Sequence, residues 1–240
     1  METEKLRFRL NWKVTLLTLV LLPVLVSLGF WQLSRAEEKQ TIQQSWEHQQ
    51  ALPPEPLEHW SAGQANRRVV VSGEFDDRAE WLLENRILDG RLGYEVVMPL
   101  RTASGLLLVN RGWVAAGEYR ADNPVIDTPR GELRLTGTLK TPSDSRFIEQ
   151  SDTGAVSWPY RLLELDTALM SAQLGEPLDT RVLLLDADSP AALTVNWLPV
   201  NMSAAKHQGY AVQWFAMALA LSLLWLVSNT NIVALLRPNK

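Results

Sequence analysis

The sequence predicts a membrane protein in which two transmembrane α-helices flank an extracytoplasmic β-rich α+β domain. Three observations carry that expectation. No Asp, Glu, Lys or Arg occurs from Val14 to Ser34 or from His207 to Leu236, so each end of the chain holds an apolar stretch able to cross a bilayer. Basic residues crowd the outer flanks of both stretches. Between them lie short runs of β-branched and alternating apolar residues, broken by Gly, Asn and Asp.

Residues 1–13 read as a cytoplasmic tail and 14–33 as the first span. The core of that span, Val14 to Trp31, is about 18 residues or roughly 27 Å of helix, close to the thickness of bilayer hydrocarbon. A cleaved signal peptide is the rival reading of a basic start followed by an apolar run. It fits poorly, because the run is long and Phe30, Trp31, Gln32 and Leu33 stand where small cleavage-site residues belong. Residues 34–209 read as the exported domain. It opens with a helix over 35–50, where Ile42 and Trp46 share a face, and Pro53, Pro54 and Pro56 end that helix. Residues 210–232 form the second span and 233–240 a second cytoplasmic tail. Lys5, Arg7, Arg9 and Lys13 precede the first span and Arg237 and Lys240 follow the second, against Arg35, Lys39 and Lys206 at the other face. That asymmetry puts both termini in the cytoplasm.

Within the domain, strands are expected near Val69–Phe75, Ala79–Leu83, Leu92–Leu100, Leu106–Val109, Leu133–Leu139, Tyr160–Leu165 and Arg181–Leu185. A short helix over Thr167–Leu174 has Asp166 as N-cap and Gly175 as terminating glycine. Val69-Val71-Gly73-Phe75 and Leu133-Leu135-Gly137-Leu139 share an alternating pattern with an internal glycine, the signature of a bulge or a close backbone approach in a barrel-like sheet.

The formal net charge of −4 argues against a nucleic-acid partner. The absence of cysteine excludes disulfides, thiolate metal sites, a Cys nucleophile and covalently attached c-type haem. Copper delivery is disfavoured, since soft copper wants thiolates or clustered methionines and the five Met are scattered. No G-x-S-x-G, H-E-x-x-H, Walker A or dinucleotide-loop pattern occurs, so the chain reads as a non-enzyme. Asp186 and Asp188 read as a solvated turn, and His48 and His59 as surface histidines beside a proline-rich linker.

His207 differs, because it stands at the mouth of the second span with Tyr210 and Trp214 on the same helical face. One reading of that face is an aromatic belt at the membrane interface. The other is a ligand site, favoured by Gln213, an amide inside an apolar segment that needs a polar partner. The first span ends with Gly29, Phe30, Trp31 and Gln32, with Arg35 one turn beyond. If the spans pair, these residues face His207, Tyr210, Gln213 and Trp214 across one cleft. Such a cleft suits haem, which needs an imidazole axial ligand, aromatic walls and a cation for its propionates.

Three blocks carry a resemblance to a known family: Leu28-Gly29-Phe30-Trp31-Gln32-Leu33-Ser34-Arg35, Val109-Asn110-Arg111-Gly112-Trp113-Val114 and His207-Gln208-Gly209-Tyr210-Ala211-Val212-Gln213-Trp214-Phe215. With the supporting run Gly93 to Leu100, they resemble the Surfeit locus protein one family of cytochrome c oxidase assembly factors. The resemblance implies a bacterial inner-membrane, multi-pass protein with a periplasmic central domain. It implies that the chain binds haem a non-covalently and transiently and assists its insertion into oxidase subunit I, with haem a synthase as a further partner. By the same resemblance His207 is the axial ligand of the haem iron, and Tyr210, Gln213, Trp214, Trp31, Gln32 and Arg35 surround the cofactor. The alternative is a scaffold that holds oxidase subunits without touching haem. In the second block, Asn110 and Gly112 are expected to shape the exit from a buried strand, Trp113 to pack and Arg111 to pair internally.

Overall fold

The computed structural model describes residues 6–60, 66–119, 122–142, 157–199 and 202–235. In chain order the elements are α1 (Trp12–Ala51), β1 (Glu55–Pro56), a 3-10 turn (Leu57–His59), β2 (Arg68–Phe75), β3 (Trp81–Leu88), β4 (Arg91–Thr102), β5 (Gly105–Ala115), β6 (Leu133–Lys140), β7 (Tyr160–Leu162), α2 (Thr167–Leu174), β8 (Leu178–Leu185), α3 (Ala204–Asn229) and α4 (Ile232–Leu235). They fall into two compact units: Trp46–Leu198, and Met1–Ser45 with Pro199–Lys240.

The first of these is β-rich and closed. Strands run β2-β6-β8-β5-β4, and β2 also pairs with β4 through Gly73↔Thr102 to Phe75↔Leu100, which completes a five-stranded barrel. β3 and β7 extend the sheet beyond β4, and the two-residue β1 lies parallel to β2. Period-2 alternation sorts the side chains into two cores. Val69, Val71, Val96, Met98, Leu107, Val109, Leu135 and Leu183 fill one; Trp81, Leu83, Val97, Leu108, Val182 and Leu184 form the other with Met170 of α2. Strands buried on both faces read as near-continuous apolar runs, which is why β4 and β8 stand out in the sequence. The two glycine-bearing runs are neighbours, with Gly73 opposite Leu133 and Gly137 opposite Val69. Gly73 sits where β2 passes from β6 to β4, and a Cβ there would meet the Arg101 carbonyl.

Helix α2 has the bounds and caps expected from its sequence. Asp166 accepts a hydrogen bond from the Leu169 amide at 3.0 Å, and Gly175 adopts the left-handed conformation at φ 74°. Strand ends moved more. β3 runs on to Leu88 through a bulge at Asn85 (φ 60°), and the polar Glu84-Asn85-Arg86 had hidden that continuation. β7 stops at Leu162 rather than Leu165.

The largest difference is at Asn110-Arg111-Gly112-Trp113, expected at a strand exit and found inside β5. Val96 pairs with Gly112 and Val97 with Asn110, so Arg111 is the extra residue of a bulge. Gly112 holds φ at 110°, and a Cβ there would crowd the Thr194 carbonyl. Asn110 donates to Glu95 (2.7 Å), and the Trp113 indole donates to the Arg86 carbonyl (2.9 Å). Arg111 is 1% exposed. Its guanidinium donates to the carbonyls of Asp127 (2.7 Å) and Ala191 (2.9 Å) and to the Thr128 hydroxyl (2.7 Å), and lies 5.4 Å from the Phe75 ring centroid. Burial lowers its pKa, opposed by the charges of Glu80 and Asp127. Internal pairing was expected; pairing with backbone oxygens of two separate loops was not.

Asp186 is ion-paired to Arg68 at 2.6 Å, while Asp188, His48 and His59 are exposed. Asp76, its side chain 6% exposed, receives Arg78 (2.6 Å) and Arg101 (2.8 Å), and both arginines also reach Glu176. The hydrogen bonds from Arg78 hold the Asp76 carboxyl down at about 2.

Candidate functional site

The second unit contains two helices long and apolar enough to cross a membrane, α1 and α3, each with only 11% of its apolar window buried inside the protein. A core helix of a soluble domain would be mostly buried. The helices are antiparallel, since Gln32 meets His207 at one end and Thr15 meets Trp225 at the other. Their seam is made by small residues. Thr18, Gly29 and Ala36 of α1 and Ala211 and Ala218 of α3 are buried, which lets the backbones approach as membrane helices do.

At the His207 end, His207 Nδ1 lies 2.7 Å from the Gln32 side-chain oxygen. One turn deeper, a Cβ on Gly29 would fall 2.6 Å from the Phe215 ring, so only glycine admits that ring into the seam. Phe215 also meets Phe30 edge-on, with ring centroids 5.3 Å apart. Arg35 packs over the Trp31 ring (5.7 Å) and pairs with Glu38 (2.5 Å).

Helical geometry assigns the remaining site residues to a side of the pair. At about 100° per residue, Gln32, Arg35 and Trp31 lie about 60°, 120° and 160° round α1 from Gly29. Measured from Ala211, His207, Trp214, Tyr210 and Gln213 lie about 40°, 60°, 100° and 160° round α3. Because the helices are antiparallel, both rotations lead to the same lateral face, with Trp31 and Gln213, at about 160°, carried on to the backs of their own helices, and Phe30 and Phe215 turn to the opposite one. His207, Gln32 and Trp214 are half-buried on that face, and Arg35 and Gln213 are exposed. Trp31 is 49% and Tyr210 44% exposed.

Two features differ from the expectation. Gln32 touches His207 directly and Phe215 fills the seam below, so these residues meet each other rather than stand across a cleft, and the others turn outward around the contact. Gln213, about 160° round from the buried Ala211, faces away from α1, and among the described residues it takes no hydrogen bond. Sequence reasoning also passed over the opposite end of the pair. There the fully buried Asn229 accepts from the Asn11 amide (2.6 Å) and donates to the Trp225 carbonyl (2.9 Å), and Trp225 donates to Thr15 (3.1 Å). The polar string Ser228-Asn229-Thr230-Asn231, set between Leu226-Val227 and Ile232-Val233, was the available signal.

The motifs thus meet in pairs within each unit. Leu28–Arg35 meets His207–Phe215 in the helix pair, and Gly93–Leu100 pairs with Val109–Val114 in the barrel. The family model described as SURF1 family matches residues 19–219, a range that contains all four. This chain belongs to the SURF1 family. The SURF1-family chain is similar over 92% of its length to a SURF1-like protein of Rickettsia felis, at 26% identity across 99% of that protein. It is 25% identical to a SURF1-like protein of Caenorhabditis elegans, covering 94% of this chain and 77% of that one. Surfeit locus protein 1 of Takifugu rubripes is 26% identical, covering 86% of this chain and 93% of the fish protein.

Proposed function

We propose that this SURF1-family chain is a non-enzymatic assembly factor for haem–copper cytochrome c oxidase that binds haem a and assists its insertion into subunit I. The observation that carries the reading is the meeting of Gln32 and His207 at 2.7 Å, at the head of one lateral face that also bears Arg35, Tyr210 and Trp214, with Trp31 at its edge. The residues fit the group. His207 engages Nδ1, and among the described residues Nε2 takes no hydrogen bond, so that nitrogen would be available to hold haem iron. Trp31 and Tyr210 present exposed rings able to cover a flat macrocycle, and Trp214 extends the aromatic surface about 6 Å deeper along α3 than Tyr210. Arg35, about 4.5 Å further out along α1 than Gln32, suits propionates.

Haem a supplies the redox-active iron that the oxidase requires; the chain's part is to hold it through His207 and screen it with aromatic rings. An outward surface suits delivery, because a cofactor held on the flank of a helix pair leaves sideways to a partner, here subunit I or haem a synthase. The basic flanks support a bacterial inner-membrane location with both termini cytoplasmic and the barrel periplasmic. The test compares wild type with His207→Ala purified from cells that make haem a. Loss of the haem absorbance in the variant is expected. Equal haem retention by the two forms would overturn the ligand assignment, and oxidase subunits captured equally by two haem-free forms would favour a scaffold.

A further inference from the structure

We infer that Gln32 is a positioning residue for His207: its side-chain oxygen accepts the Nδ1 proton and so holds the imidazole in the single tautomer whose Nε2 is bare and able to ligate. The inference rests on the proposed haem-binding role and deepens it. The structure turns the Gln32 amide oxygen to the ring at 2.7 Å, and because such an oxygen only accepts, Nδ1 is the donor in that arrangement. A neutral imidazole carries one proton, and the lone pair therefore sits on Nε2. Among the described residues nothing competes for that lone pair.

The two side chains belong to different helices, so the tautomer depends on helix pairing. Gly29 and the Phe215 ring set how closely α1 and α3 approach one turn below, and that approach brings the Gln32 oxygen within reach. An unpaired His207 would lose its Nδ1 acceptor, and the ligating nitrogen would no longer be fixed. The choice of amide also has a consequence. A carboxylate in this place would make the imidazole a stronger donor to iron, whereas a neutral carbonyl orients the ring with less polarisation, as suits a cofactor to be given up.

The decisive measurement needs no haem. In the full-length chain, 15N-labelled at histidine and held in detergent micelles, His207→Ala identifies the His207 ring signals against those of His48 and His59. In spectra recorded at alkaline pH, where the ring is neutral, wild type should show a protonated Nδ1 and a bare Nε2. Gln32→Leu should lose that pattern, and Gln32→Glu, which keeps an acceptor oxygen, should retain it even if Gln32→Leu folds poorly. A protonated Nε2 in wild type, an unchanged pattern in Gln32→Leu, or its loss in a folded Gln32→Glu would each overturn the inference. With haem a added, Gln32→Leu should bind about 10–100-fold more weakly, and Gln32→Glu should bind with a lower reduction potential. Equal affinity of wild type and Gln32→Leu would overturn the positioning role alone. Failure of wild type to bind haem a would overturn the proposed function and leave the tautomer result standing.

Discussion

At the scale of single residues, Arg111 shows how much one buried side chain can organise. A fully desolvated guanidinium must be satisfied, and here its hydrogen bonds clamp the backbone at Asp127 and Ala191 to the barrel. Arg111→Ala would leave those oxygens bare and is expected to cost about 3–5 kcal/mol, read as a lower thermal midpoint by circular dichroism. Arg111→Lys should lose most of the same amount, because one ammonium cannot reach all three acceptors. A midpoint within a degree of wild type in either variant would refute the clamp. The importance of Arg111 was legible in the sequence as an unusual Asn-Arg-Gly-Trp string. Its acceptors were not, since they are carbonyls of distant loops and carry no side-chain signature. His207 and Gln32 divide the same way: each was conspicuous at the end of an apolar run, but only the antiparallel pairing of α1 and α3 brings them to 2.7 Å.

At the scale of elements, the helix pair depends on close approach rather than on polar contacts along its length. At Gly29 there is no room for a Cβ, which would fall 2.6 Å from the Phe215 ring. Gly29→Leu should force Phe215 out of the seam, at about 1–3 kcal/mol, and break the Gln32–His207 contact. Phe215→Ala removes the obstructing ring, so the double variant should recover part of the loss. The measurement is a thermal-stability cycle in detergent, where a coupling of at least about 0.5 kcal/mol is expected and strict additivity would show that the two positions do not meet. The β elements tell a complementary story. Interiors of β2, β4, β6 and β8 were readable because burial on one or both faces imposes apolar alternation or apolar runs. The ends of β3 and β5 were not, because both strands continue through bulges whose polar residues look like loop.

At the scale of the whole molecule, charge governs both stability and placement. Asp76 joins the turn after β2 to Arg101 at the end of β4 and, through the two arginines, to Glu176 beyond α2. Its folded pKa of about 2 lies below the ordinary value of 3.8, so its contribution is fully present above about pH 4 and is lost as pH falls toward 2. Since both arginines are half-exposed, solvent reduces the effect, and Asp76→Asn is expected to cost about 1–2 kcal/mol at pH 7. That difference should shrink steadily as pH falls from about 4 and vanish only below about 2, and a pH-independent difference would show that the ion pairs are not its source. Placement can be tested cleanly because the chain has no native cysteine. In spheroplasts a membrane-impermeant maleimide should label Ser104→Cys, in the exposed turn between β4 and β5, and reach Leu6→Cys only after lysis. The reverse pattern would invert the proposed topology.

The sequence by itself determined the two apolar helices, the β-rich middle, the caps of α2 and the family. These follow from local properties: hydrocarbon length, charge asymmetry, strand periodicity, capping chemistry and short motifs. Barrel closure through the second pairing of β2, the bulge that turns Arg111 inward and the direct Gln32–His207 contact were decided only by the tertiary structure. Each of these depends on which segments approach one another in space, and a glycine at 73, 112 or 29 marks where backbone or ring comes close without naming its partner. The residues at the centre of the proposed site were therefore visible from the start, whereas their arrangement around a direct contact rather than across a cleft is a property of the packed helix pair.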